Sequence, residues 1–126
     1  MKYLCLAYEE EDKLNALSGG EWDLLRRETL AYVEDLKNGG QLVTAEALQS
    51  VHTATTVRVR AGKLSLTDGP FAETKEQLGG FFLINARDLN EAIQVASHWP
   101  SAKLGSIEVR PIEGELREDA RYVRIR

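Results

Sequence analysis

Apolar residues along this chain follow two rhythms, and the switches between them mark its elements. From Lys2 to Tyr8 both alternating sets are largely apolar, Leu4, Leu6 and Tyr8 on one side and Tyr3, Cys5 and Ala7 on the other. That is the pattern of a central strand covered on both faces. The acidic run Glu9 to Asp12 and the later Ser18-Gly19-Gly20 read as a solvated loop, with Ser18 or a neighbouring glycine placed to cap the helix that follows. From Glu21 to Asn38 the rhythm becomes helical, with Trp22, Leu25, Tyr32, Val33 and Leu36 on one stripe and charges on the others. Asn38-Gly39-Gly40 stops that helix and reverses the chain. Alternation resumes over Gln41 to Leu48 as a second strand. Thr55 to Arg60 and Leu64 to Thr67 then form a hairpin closed around Gly62, with its valines and leucines on one face and its arginines and hydroxyls on the other. The arginine face is expected to turn to solvent.

Gly79-Gly80 opens a third major run, Phe81 to Ile84, apolar on both faces. Asp88-Leu89-Asn90-Glu91 has the spacing of a capping box, which starts a helix at Leu89 with the stripe Leu89, Ala92, Ile93, Ala96 and Trp99. Pro100 ends it, and Ser106 to Ile112 supplies a last strand. The order strand, helix, strand, hairpin, strand, helix, strand is the α+β, ferredoxin-like split βαβ plan with an inserted β-hairpin. Two helices cover one face of such a sheet, while two strands are apolar on both faces. A second copy stacked sheet on sheet covers the other, so a homodimer is expected. The domain spans residues 1–113, and residues 114–126 form a charged C-terminal extension in which Tyr122 to Arg126 could add an edge strand.

Composition narrows the function classes. Sixteen Lys and Arg against 20 Asp and Glu give a net charge of −4 and a pI near 5.2, so there is no general attraction for nucleic acid or an anionic membrane. A single cysteine, Cys5, lies in an apolar run and reads as a buried structural thiol in a cytoplasmic protein. The opening apolar run is too short for a signal peptide or a membrane span. No nucleophile triad, metal-ligand spacing, phosphate loop or flavin motif is evident, so any chemistry is expected to need no cofactor.

Turn chemistry, charge and glycine concentrate in Asp68-Gly69-Pro70-Phe71-Ala72-Glu73-Thr74-Lys75-Glu76-Gln77-Leu78-Gly79-Gly80. Pro70 fixes its own φ and restricts Gly69, and the Asp68 carboxylate is placed to accept from an amide two or three residues on. Ala72 to Glu76 is short and helix-compatible. As structure alone, the stretch is a well-made connection with a solvated surface. Its sequence resembles the signature of the DGPF group of YCII-related proteins, and the likeness extends through Met1-Lys2-Tyr3, Ala54 to Arg58, Asp88 to Ala92 and Ile107 to Ile112. The resemblance implies a dimeric α+β barrel in a small bacterial protein whose family role is largely unassigned, often encoded beside extracytoplasmic-function sigma factors.

Relatives in the wider superfamily pair a histidine with an aspartate, or use a cleft of the same barrel. That pair does not carry over cleanly, because the histidines here are His52, in a polar loop, and His98, at a helix end. The first expectation is therefore a small polar or anionic metabolite bound near the signature. Asp68 and His52 are the candidate catalytic groups, and Arg58, Phe71, Glu73 and Lys75 the substrate-binding ones. Proton abstraction beside a carbonyl, isomerisation or lactone hydrolysis suits that set. The alternative is a non-catalytic regulatory partner, for example of a sigma factor.

Overall fold

The computed structural model describes residues 1–114, and the expected edge strand at Tyr122 to Arg126 lies outside them. Six strands and three α-helices follow in the order β1 (Lys2–Glu9), α1 (Glu11–Asn15), α2 (Gly19–Asn38), β2 (Leu42–Ala47), β3 (Thr55–Arg60), β4 (Lys63–Asp68), β5 (Gln77–Asn85), α3 (Leu89–Ser97) and β6 (Gly105–Pro111). The main sheet has the order β2-β5-β1-β6 with every neighbouring pair antiparallel, while β3 and β4 form a separate two-stranded sheet. This is the ferredoxin-like arrangement with an added hairpin.

Local chemistry places both long helices. The Ser18 hydroxyl accepts from the Glu21 amide at 3.1 Å, and the Glu21 carboxylate accepts from the Ser18 amide at 2.9 Å, a complete capping box. At the other end Gly40 takes φ +73°, which lets the Gln41 amide donate back to the Leu36 carbonyl at 3.0 Å. Asp88 accepts from the Glu91 amide at 2.9 Å. Glu91 reaches one residue further back than a capping box requires, accepting from the Arg87 amide at 3.2 Å and pairing with the Arg87 guanidinium.

The core lies on one face of the sheet. Tyr3, Cys5 and Ala7 of β1 and Phe82 and Ile84 of β5 are buried beneath Leu36 of α2 and Ala92, Val95 and Ala96 of α3. Trp99 stacks on Phe82 with centroids 4.0 Å apart and meets the Tyr32 ring edge-on, while the Tyr32 hydroxyl donates to the Val95 carbonyl at 2.7 Å. Stacking at Trp99 fixes the rotation of α3. Val95 thus joins the buried stripe, while Leu89, a turn beyond the core, and Ile93, to one side of it, stay exposed. Burial pushes the Cys5 thiol up to about 12, as suits an inert structural cysteine.

Three further expectations change. Glu11–Asn15 forms a short helix where a loop was expected, and Glu9 still belongs to β1. Gln77 to Gly80 are already strand, because β1 pairs with Gln77, Leu78 and Gly80 and β2 reaches Gly80 from the other side, and no helix forms between Ala72 and Glu76. The hairpin is turned over: Val57, Val59, Leu64 and Leu66 are 60–66 % exposed, whereas Thr56 and Arg58 on the other face are half-buried. Period two tells which side chains share a face. It does not tell which face the body of the protein covers.

Candidate functional site

Glu9 continues the buried set Tyr3, Cys5, Ala7 by one more step of two, so it carries a carboxylate onto the core face at the end of the sheet. A bulge makes room for it. Ala7 pairs with Gly80 but Tyr8 pairs with Leu78, leaving Gly79 as the extra residue. The Glu9 carboxyl lies over the bare backbone of Gly79, in space that a Cβ there would occupy. It is half-buried and has no hydrogen-bond partner among the described residues. Burial first, and the charge of Glu11 second, raise its pKa above the usual carboxylate value.

Around it lies a cavity of about 600 Å³, walled by Glu11, Leu14 and Asn15 of α1, by Trp22 of α2, by Leu48 to Ser50 and by His52. Glu11 organises the wall. Its two carboxylate oxygens accept from the Ser50 hydroxyl at 2.9 Å and the Val51 amide at 2.8 Å, and the Ser50 hydroxyl in turn accepts from the His52 amide at 3.1 Å. The 3₁₀ turn Val51–Thr53, which carries His52, is thereby tied to α1. Gln77 closes the corner, its side-chain carbonyl facing the Glu11 amide and its amide donating to the Thr74 carbonyl at 3.0 Å.

A second cavity of about 630 Å³ lies on the other side of Leu48 to Ser50 and Gln77, under Pro70, Phe71, Ala72 and Thr74, with Tyr8 and Leu78 as its floor and Thr55 and Thr56 at its edge. The signature stretch therefore borders both cavities, the second through Pro70 to Thr74 and the first through Gln77 and Gly79.

The residues singled out by sequence are spread over this region. His52 lines the first cavity and Phe71 the second, where it is 80 % exposed. Asp68 ends β4 opposite Thr55 and lines neither. Its carboxylate accepts no hydrogen bond among the described residues. The turn is held by backbone instead, with the Gly69 amide donating to the Ala54 carbonyl at 2.7 Å, the Thr56 hydroxyl donating to the Gly69 carbonyl at 2.8 Å, and Gly69 at φ +97°. Lys75 reaches Glu10 at 3.4 Å but is largely in solvent, and Glu73 is exposed. Arg58 stands across from Ser65 on the hairpin, outside both cavity walls. His98 is the C-cap of α3, with Nδ1 2.8 Å from the Gln94 carbonyl. Among the described residues no three His, Cys, Asp or Glu side chains converge as metal ligands.

Glu9 and Glu11 were missed because an acidic run reads as wet surface. The signal that could have found Glu9 was its phase, on the buried side of the strand that precedes it.

Comparisons agree with this fold. The chain is 39 % identical over 114 residues to an uncharacterised protein of Rhizobium meliloti (strain 1021), covering 89 % of this chain and 92 % of that one. Its structure resembles the 5-chloro-2-hydroxyhydroquinone dehydrochlorinase of Burkholderia phenoliruptrix AC1100, solved in complex with 2,5-dihydroxybenzoquinone, with a TM-score of 0.56 and 16 % identity over 90 % of this chain and 94 % of that one. At that identity the likeness is one of fold. No helix of the described residues is long and apolar enough to cross a membrane. The model of the YCII-related domain matches residues 1–115, and the chain belongs to that family.

Proposed function

We propose that this protein binds a small, neutral, oxygen-bearing metabolite in the Glu9 cavity and moves a proton on it without a cofactor. One observation carries the reading: a half-buried carboxyl with no hydrogen-bond partner among the described residues, raised in pKa, faces a cavity of metabolite size. A carboxyl displaced upward exchanges its proton closer to neutral pH than an exposed one does, which is what a general acid–base needs. In the proposed step the Glu9 carboxylate takes a proton from a carbon beside a carbonyl. The same proton then returns to the carbonyl oxygen, giving the enol, which completes a keto–enol isomerisation. His52, on the same wall, is a second polar group for the ligand, and Glu11 holds its turn in place.

The walls favour a neutral ligand. Two carboxylates face this space, and Arg58, which the sequence suggested for steadying an anion, stands elsewhere. Trp22, Leu14 and Leu48 offer an apolar side for a ring. The structural relative's ligand, a dihydroxybenzoquinone, is a ring of that kind and small enough for about 600 Å³. Phe71 serves in this reading as a cover for the second cavity. Asp68, Glu73 and Lys75 act only on what approaches from solvent. Residues 1–113 form the working domain.

The test is thermal-shift screening of hydroxylated, ring-sized carbonyl compounds against wild type, Glu9→Gln and His52→Ala, followed by proton–deuteron exchange on any hit. A hit that stabilises wild type, with exchange lost in Glu9→Gln, is expected. Equal exchange in wild type and Glu9→Gln would remove Glu9 from the chemistry. The exposed apolar face of the hairpin favours a second reading, a docking protein without turnover, for which the resemblance offers an extracytoplasmic-function sigma factor. In that case no metabolite stabilises the wild type.

A further inference from the structure

Residues 49–53 stand between the two cavities, with Gln49 and Ser50 on both walls. They join β2 to β3 as a strap whose ends are fastened by backbone. The Leu48 amide donates to the Gly79 carbonyl at 2.9 Å, and the Ala54 carbonyl accepts from the Gly69 amide at 2.7 Å. Between these anchors the strap largely satisfies itself. The Thr53 amide and hydroxyl both donate to the Ser50 carbonyl, the Ala54 amide donates to the Val51 carbonyl, and the His52 amide donates to the Ser50 hydroxyl. Among the described residues, its hydrogen bonds to the rest of the protein go to a single group. That group is the Glu11 carboxylate, which accepts from the Ser50 hydroxyl at 2.9 Å and from the Val51 amide at 2.8 Å. Gln77 lines both cavities too, and its side-chain carbonyl accepts from the Glu11 amide at 3.4 Å. Both halves of the partition are therefore fastened at one residue.

We infer that Glu11 is a specificity-determining latch: its carboxylate holds the strap as a partition between the two cavities, and its release joins them into one cleft for an elongated ligand reaching from Glu9 to Phe71. A turn that pairs its own backbone groups can swing as a unit. Opening breaks the two bonds to Glu11 and frees one amide and one hydroxyl, both of which water can satisfy, while the anchors at Leu48 and Ala54 stay made.

The two ends of the joined cleft differ in chemistry, which sets the class of ligand. Glu9, Glu11 and His52 stand at one end, whereas the wall of the second cavity includes no acidic, basic or imidazole side chain among the described residues. Tyr8, Leu78, Pro70 and the exposed Phe71 ring make that end largely apolar. A charged tail would lose its hydration there with nothing in return. The ligand is thus a neutral compound with an oxygen-bearing head and an apolar, ring-bearing tail. With the latch closed the Glu9 cavity takes the head alone, so Glu11 determines how long a ligand the site accepts. This use of the cleft rests on the Glu9 reading, while the latch is read from the bonding of the strap.

Amide hydrogen exchange on the full chain tests the latch without any ligand, in wild type, Glu11→Ala and Glu11→Gln. Glutamine keeps an oxygen for the Val51 amide and offers its own amide group to the Ser50 oxygen. In Glu11→Ala the Val51 amide should exchange about tenfold faster than in wild type, as befits the loss of a charged acceptor, and in Glu11→Gln it should stay near wild type. The Leu48 and Gly69 amides, at the anchors, should be unmoved in both. Unchanged Val51 exchange in Glu11→Ala overturns the latch, and so does equal acceleration at the anchors, because the strap then does not open apart from the body. Should Glu11→Ala not fold, Glu11→Asp, one methylene too short to reach both donors, takes its place with the same expectation. The probe 4-phenylbutan-2-one, a neutral ketone with a ring tail, reads the joined cleft by NMR titration. In Glu11→Ala it should shift the Trp22 indole and Phe71 amide signals with one dissociation constant, about tenfold tighter than in wild type. Absent or equal affinity, or shifts confined to one cavity, overturns the joined cleft. Val51 exchange involves no proton transfer by Glu9, so the latch and the Glu9 chemistry can each fail while the other stands.

Discussion

Gly79 and Gly105 would both be crowded by a methyl group, but by different neighbours. At Gly79 the obstacle is the end of the Glu9 side chain, which can swing away; at Gly105 it is the backbone carbonyl of Tyr8, which is held in the β1 to β6 ladder. Gly105→Ala is therefore expected to cost on the order of 1–3 kcal/mol through forced backbone shifts. Gly79→Ala should leave the denaturation midpoint nearly unchanged while dislodging the Glu9 carboxyl, so that its NMR titration moves back toward the ordinary value of 4.5. The raised pKa of Glu9 also sets a sign for stability. The folded state holds that proton more tightly than the unfolded chain, so stability is greatest below pH 4.5, falls as pH rises to the raised folded value, and then levels off. Glu9→Gln, which cannot ionise, should match wild type near pH 3.5 and exceed it at pH 7 in urea titrations. A variant less stable than wild type at pH 7 would show that the carboxylate is stabilised by contacts it lacks here.

At the scale of elements, the parts that were legible are those decided by neighbours in sequence. Ser18 and Glu21, or Asp88 and Glu91, lie three residues apart, and their caps form whatever the rest of the chain does. Ser18→Ala removes the hydroxyl that accepts from the Glu21 amide while keeping the backbone amide that donates to the Glu21 carboxylate, and should lower stability by about 1 kcal/mol in chemical denaturation. What sequence left out depends on distant partners. Gln77 to Gly80 look like a glycine-rich connection until β1 and β2 flank them, and the bulge at Gly79 exists only as a mismatch between two strands some 70 residues apart. Glu9 is part of an acidic run by sequence and part of a cavity by pairing. The capping interaction of Asp88 was legible for the same reason that the bonding of Asp68 was not: the first is satisfied three residues on, while the turn at Gly69 is closed by Ala54 and Thr56, which belong to the neighbouring strand.

At the scale of the whole molecule, the helices and the two central strands build one well-buried face, and everything on the opposite side is left half-covered. Both alternating sets of β1 and β5 are apolar, yet among the described residues the apolar side chains buried on these two strands are Tyr3, Cys5, Ala7, Phe82 and Ile84. If a second copy covers the rest, folding and association are one equilibrium, and mass action ties the melting midpoint to protein concentration. A tenfold increase in concentration adds about 1.4 kcal/mol of stability to a dimer of two such chains, which at their size raises the midpoint by about 2–4 °C. Calorimetry of wild type from 1 to 100 µM should show that rise at each decade. Glu9→Gln separates the cavity from the assembly. That variant changes a cavity on the core face and should keep the full concentration dependence of wild type, so a loss of dependence there would mean that the cavity and the subunit interface are coupled rather than independent.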